Sequence, residues 1–201
     1  MAVLIDPQIE EVLQETIFPD LLKGRKDFDL PHTKAVVHWM KQLITSSPEI
    51  ELDSQVMITA AYAHDWGYIG LFESVDSNDP KVIAARKPLH MERGAELISK
   101  LIDTQLLAFF TLEQKELTAH LVSVHDKVEE LQTDAEILMM EADTLGMLDT
   151  DLVRPTFSKE DNDRFIANEV RQRRVPRFKQ SSAIQASQQL ISNREHYFDN
   201  R

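Results

Sequence analysis

Apolar residues recur along this chain at the three- and four-residue spacing of amphipathic helices, and no segment shows the alternation typical of a strand. The pattern predicts one all-α domain over residues 1–201, without internal repeats. The predicted helices cover residues 7–22, 31–44, 55–64, a segment that begins at Pro88, 117–125, a segment that begins near Thr133, 158–173 and 181–198.

Polar residues and prolines mark where several of these helices should begin. Asp29 is placed to cap the helix that follows it, and Pro88 is expected in a first turn because its fixed φ angle suits that position. The segment Gly67–Lys87 is predicted to be a long loop with room for a short helix. Loops of that length in small domains are usually functional.

Composition narrows the class of protein. The chain is 42% hydrophobic and 28% charged with only five Gly, as expected of a soluble globular domain. It carries 22 basic and 34 acidic residues, a formal charge of −12, which disfavours nucleic-acid polymers and anionic membranes as partners. An anionic substrate would need a local positive centre, and a bound divalent cation is one candidate.

The absence of cysteine limits the chemistry further. Disulfides, thiolate nucleophiles and Cys-based metal sites are excluded, so any metal must be held by His, Asp or Glu. The N-terminal apolar run breaks at Asp6, unlike a signal peptide, and no apolar run approaches the roughly 18 residues that a membrane span needs. A cytoplasmic location is therefore expected.

Histidines and aspartates lie in apolar helical contexts where isolated polar groups are costly. The helix that ends in AAYAHDWG places an imidazole beside a carboxylate, and burying such a pair requires a partner or a cation. A single buried His is usually only hydrogen-bonded, but a set of six favours a metal site. Imidazole and carboxylate together suit divalent iron, manganese, cobalt, nickel or zinc, and magnesium is kept as a further candidate. The six residues are His32, His64, Asp65, His90, His125 and Asp143.

The order of His32, the pair His64-Asp65, and Asp143 resembles the H…HD…D signature of the HD-domain metal-dependent phosphohydrolases. The resemblance covers about residues 30–150, and the helices over about 158–198 lie outside it. It implies a helical, phosphodiesterase-like bundle in which these four residues bind one divalent metal.

HD-domain members with a two-metal centre, such as the dinucleoside polyphosphate hydrolases, carry two further histidines. His90–Ala95 fits their H-x-x-x-G-A segment, and His125 precedes Asp143 by 143 − 125 = 18 residues, close to the family spacing. The resemblance thus implies that His90 and His125 hold a second metal, with Asp65 bridging as the catalytic carboxylate. His120 is the alternative to His125; the two lie about 140° apart on a helix, and we favour His125.

The expected function is hydrolysis of a small phosphorylated metabolite, most plausibly a nucleotide, by metal-activated water. Arg86, Lys87 and Arg93 flank His90 and are expected to bind the substrate phosphate. The family usually has Thr where this chain has Asp126, and a short basic element where it has Trp66–Tyr68, so the relatives' specific substrate does not transfer.

Two other functions stay open at this point. Some HD-fold proteins with the same ligands are di-iron oxygenases, and the ligand set does not separate them from hydrolases. A catalytically silent module that senses a nucleotide is the other alternative, although it has no need of six costly polar groups. A homo-oligomer is compatible with either.

Overall fold

In the computed structural model, which describes residues 3–25, 27–47, 51–73, 75 and 77–199, the helical pattern becomes eight α-helices, with no strand among these residues. The all-α prediction is confirmed. Short π-helical segments, Ile102–Leu106 and Phe165–Arg174, extend α4 and α7, and 3₁₀ turns cover Trp66–Tyr68, Leu107–Phe109 and Val175–Arg177. The α-helices are α1 (Pro7–Leu21), α2 (Asp29–Ser46), α3 (Ser54–Ala63), α4 (Pro80–Leu101), α5 (Leu112–Val124), α6 (Asp134–Leu148), α7 (Lys159–Arg164) and α8 (Ser181–Glu195).

Helix α3 lies at the centre of the fold. Its residues from Val56 onwards are buried on every side, and α1, α2, α5 and α6 pack around it. The small side chains of Ala60, Ala61 and Ala63 let those helices approach closely, and one apolar core extends from Ile5 to Ile191. The C-terminal end of α3, where the His-Asp pair lies, is therefore carried into the interior.

The start of α4 differs from the sequence prediction. The helix begins at Pro80, where the Asp79 side chain accepts a hydrogen bond from the Lys81 N–H at 2.8 Å. Pro88 lies inside α4, and its missing N–H removes one bond from the helical ladder. Because Asp79 and Pro80 provide a cap and a first-turn proline eight residues earlier in the chain, the helix begins there and continues through Pro88. Lys87 is thus helical, and the predicted loop is shorter.

Asp29 also takes a different role from the predicted cap. It is the first residue of α2, and the N-cap position is occupied by Phe28. The Asp29 carboxylate accepts hydrogen bonds from the backbone N–H and the Nε of Arg25, both at 2.6 Å. The Asp29 carboxylate is therefore bound by a mostly buried arginine four residues earlier. Across the described part of the chain, no helix has both the length and the apolarity needed to cross a bilayer.

Candidate metal centre

Three helices bring the first group of ligand atoms together. His32 comes from α2, His64 follows α3 and Asp143 comes from α6, and all three are buried. The His32 Nε2 lies 3.0 Å from Asp143 Oδ1 and 3.2 Å from His64 Nε2. The His64 Nε2 lies 3.8 Å from Asp143 Oδ1. This cluster, which we call the first group, is compact enough to surround one metal ion.

A second group forms beside it. His90, from α4, and His125, which follows α5, place their Nε2 atoms 3.3 Å apart. The Asp65 Oδ1 lies 3.5 Å from His90 Nε2 and 3.9 Å from His125 Nε2. The structure therefore gathers a second set of buried ligand atoms that could hold a metal ion.

Asp65 joins the two groups through its two oxygens. Its Oδ1 faces the second group, whereas its Oδ2 lies 3.5 Å from His64 Nε2 and 3.6 Å from His32 Nε2. His120 belongs to neither group: half of its side chain is exposed, and its Nε2 lies 2.7 Å from Glu136 Oε1. Of the two alternatives from the sequence, the fold brings His125 to the ligand cluster.

Hydrogen bonds on the far side of two rings show that the cluster suits a cation. The Nδ1 atoms of His64 and His125 lie 2.8 Å from the carbonyl oxygens of Ala61 and Val122. A carbonyl only accepts, so each Nδ1 carries the proton and the Nε2 of the neutral ring presents a lone pair. Both lone pairs point at other nitrogen and carboxylate atoms, an arrangement that a cation stabilises. The other two rings are held by stacking, His32 on Phe28 and His90 on Tyr68.

Burial favours the neutral, metal-binding form of three of these imidazoles, those of His32, His90 and His125. It lowers the pKa values of His32 and His125, and burial together with the neighbouring His125 lowers the pKa of His90 to about 3. Burial alone would raise the pKa of Asp65, but His64 and Arg25 outweigh it and hold the pKa below its usual value. Arg174 does the same for Asp143. These shifts favour neutral rings at His32, His90 and His125 and ionised carboxylates at Asp65 and Asp143, the forms in which such groups bind a metal.

A glycine fixes how closely the His-Asp turn approaches α4. A Cβ atom on Gly67 would lie 1.9 Å from the carbonyl oxygen of His90 and 2.7 Å from the Gly94 nitrogen. Only a residue without a side chain fits there, so Gly67 sets the distance between Asp65 and His90. The Trp66 side chain points away, into the apolar core, and donates to Asp20 Oδ2 at 3.1 Å.

Two arginines that sequence reasoning did not select hold the carboxylates of the centre. The Arg25 Nη2 donates to Asp65 Oδ2 at 2.8 Å, and its guanidinium lies over the rings of Phe28 and Tyr68. The Arg174 Nη1 donates to Asp143 Oδ2 at 2.7 Å, and its side chain is 3% exposed. Each arginine neutralises part of the negative charge that the ligands bring into the core.

The sequence does carry a signal for Arg174. It follows Ile166 and Val170 at four-residue intervals, and both of those are buried. An arginine on the apolar stripe of a helix is expected to point inward toward an anion. Its neighbours form ion pairs nearer the surface instead: Arg171 pairs with Glu195, and Arg173 pairs with Glu129 and Glu169.

A cavity of about 330 Å³ opens beside the ligand cluster. Lys87 lines it, one turn before His90, whereas Arg86 and Arg93 are not among the described residues that line it. Arg86 instead donates to the Leu71 carbonyl at 2.7 Å. The rest of the wall is mixed: it includes the charged side chains of Arg25, Asp126, Arg164, Glu169, Arg174 and Arg194, and the apolar or aromatic side chains of Phe28, Tyr68, Ile83, Met147, Phe157 and Phe165.

Comparison of the chain with models of known protein families, with curated proteins and with solved structures finds no match. The resemblance to HD domains therefore rests on the ordered motif in the sequence. The structure is compatible with such a fold: it is helical and has two His/Asp groups that could bind metal ions.

Proposed function

We propose that this protein is a metal-dependent phosphohydrolase that acts on a small phosphorylated metabolite, with nucleotides as the first substrates to test. The observation that carries the proposal is the position of Asp65. Its two oxygens face two separate sets of buried ligand atoms, and it also lines the adjoining cavity. A shared carboxylate between two metal sites is the arrangement that two-metal hydrolysis of phosphate esters uses.

Two divalent ions held here would supply an acidified water molecule and positive charge for the reacting phosphoryl group. The protein's own part is to hold Asp65 between the groups and to keep the His rings neutral and oriented. A side-chain nucleophile is not needed for such a reaction, in keeping with the lack of cysteine.

Charge favours an anionic substrate despite the net charge of −12. Four carboxylates and three cations are linked around the centre, so the ionised side chains leave one negative charge. Two divalent ions would change this to three positive charges, enough to attract a phosphate ester into the cavity. The linked groups form two chains, Asp29–Arg25–Asp65 and Lys87–Asp126–Arg174–Asp143.

The test is elemental analysis of the purified protein together with a screen for phosphate release from nucleotides and sugar phosphates. We expect bound divalent metal and metal-dependent phosphate release that a chelator abolishes. Asp65→Ala should remove both, and Asp151→Ala, an exposed aspartate outside the cavity, is the charge-matched control. Oxygen consumption without phosphate release would instead assign an oxygenase, and metal binding with neither activity would assign a sensing module.

A further inference from the structure

Asp126 is bound by two basic side chains at once, one on each oxygen. The Lys87 Nζ lies 3.1 Å from Asp126 Oδ2, and the Arg174 Nη2 lies 2.5 Å from Asp126 Oδ1. The three residues come from α4, from the segment after α5 and from the π-helical extension of α7. A single carboxylate therefore fixes two cations side by side, and all three residues line the cavity.

Both cations keep hydrogen-bond donors that these contacts do not use. Arg174 donates through Nη1 to Asp143 and Thr144 and through Nη2 to Asp126, which leaves Nε and one Nη2 hydrogen without a partner among the described residues. The Lys87 ammonium group has three N–H donors, and Asp126 is its one ion-pair partner among the described residues. Arg174 is held rigidly, because its side chain is 3% exposed, while Lys87 at 34% reaches the cavity from the solvent side.

We propose that Lys87 and Arg174, fixed by Asp126, form the binding site for the dianionic phosphate of a phosphomonoester. The proposal rests on the proposed function and narrows its substrate class. A monoester phosphate has three non-bridging oxygens and a second pKa near 6, so it is largely doubly charged at neutral pH. It can meet the Lys87–Arg174 pair and the ligand cluster together, whereas a diester offers only two non-bridging oxygens and one charge.

Charge balance in the core accounts for the ion pairs of Arg174 but not for the donors that it leaves unused at the cavity wall. Arg173, the neighbour of Arg174, makes its ion pairs with Glu129 and Glu169 on the surface, where such pairs contribute little to stability. Arg174 is instead buried at the cavity wall between Asp126 and the ligand Asp143. An enclosed cation with spare donors is costly in a stability role but well suited to hold an anion.

The experiment is calorimetric titration of the metal-loaded protein with inorganic phosphate, with metal content measured for every variant. Lys87→Gln should weaken phosphate binding by about 10- to 150-fold with the metal retained, the effect of losing a hydrogen bond to a charged group. Arg174→Gln should weaken phosphate binding at least as much, and its measured metal content separates that effect from any loss at Asp143. Arg174→Lys should fall between wild type and Arg174→Gln, because it restores the charge but not the planar fork. Lys81→Gln, which changes an exposed cation outside the cavity, should match the wild type.

Dimethyl phosphate, a monoanionic diester, is the second probe. We expect it to bind at least tenfold more weakly than inorganic phosphate and to be insensitive to Lys87→Gln. The proposal is overturned if Lys87→Gln binds phosphate as wild type does, or if the two probes bind equally well. Lys87 is one-third exposed, so its variant should fold even if Arg174→Gln does not.

The two proposals fail in different ways. If phosphate binding depends on Lys87 and no phosphate ester is hydrolysed, the proposed activity is wrong while the phosphate site stands. If esters are hydrolysed and Lys87→Gln does not change phosphate affinity, the proposed activity stands and the assignment of the phosphate site is wrong.

Discussion

The first and second groups share Asp65 but are built differently. The first group lies where α2, α3 and α6 pack together, and arginines contact both carboxylates that face it, its own Asp143 at Oδ2 and the joining Asp65 at Oδ2. The second group joins α4 and α5 to the His-Asp turn, and within the described residues no arginine or lysine contacts the Asp65 Oδ1 that it uses. The first group is therefore part of the charge-balanced core, whereas the second depends on one carboxylate oxygen and on the packing of α4. Two metal sites built on separate supports should be separable by mutation.

The largest effect is expected from Asp65→Ala, because this residue serves both groups. Both metals and all hydrolytic activity should be lost, while the helical content survives because the apolar core provides most of the burial. Arg25 keeps Asp29 as a partner in this variant, so its charge is not stranded. Elemental analysis measures the metal content, and circular dichroism measures the helical content. Unchanged metal content would refute the bridging role.

His90→Ala and His125→Ala should separate the groups. Each is expected to lose one metal per chain and most activity, since the first group keeps His32, His64 and Asp143. His120→Ala is the matched control and should keep both metals, because His120 contacts Glu136 on the surface. If His120→Ala lost a metal and His125→Ala did not, the assignment of the second group would be wrong.

Gly67→Ala should affect the second group through packing alone. The added Cβ would overlap the His90 carbonyl oxygen, so either the turn or α4 must shift. Overpacking of this kind typically costs about 1–3 kcal/mol of unfolding free energy. Urea unfolding measures that loss, and metal titration should show the larger loss of affinity at the second group, because the added Cβ lies against His90. Equal weakening of both sites would mean that the groups are not independent.

Lys87→Met should have the narrowest effect, on catalysis alone, because it leaves the ligands in place. Losing its hydrogen bond to a phosphate should lower kcat/KM by about 10- to 150-fold, or roughly 1.5–3 kcal/mol, with metal content unchanged. Arg86→Met is the comparison, because Arg86 lies next to it but contacts the Leu71 carbonyl instead of lining the cavity. An equal effect of both substitutions would argue against a specific role for Lys87.

Local signals in the sequence were enough to predict the helical fold and to select the six candidate ligands. Helix periodicity depends on nearest neighbours along the chain, and a polar residue such as Asp143 stands out on an apolar face. The family motif supplied the grouping, which spacing alone does not give. Whether the six residues bind metal stays a prediction, as do the substrate roles of Lys87, Arg86 and Arg93.

Features that depend on which side chains meet in the folded chain escaped prediction. The bond between Arg174 and Asp143 joins α6 to a π-helical segment, and nothing near either residue indicates that partner. Asp29 was interpreted as a cap because a cap needs only local geometry, but the nearby Arg25 takes its carboxylate. The predicted start of α4 was wrong although its signal is local: Pro80 and Pro88 are both acceptable first-turn residues, but only Pro80 follows a capping residue, Asp79.

The most direct test of the central claim is anomalous diffraction from crystals of the metal-loaded protein, with elemental analysis to identify the metal. The account predicts two peaks per chain, one within the first group and one within the second, on either side of Asp65. A single peak bounded only by His32, His64, Asp65 and Asp143 would remove the two-metal centre. Peaks away from both groups, or none, would contradict the account altogether.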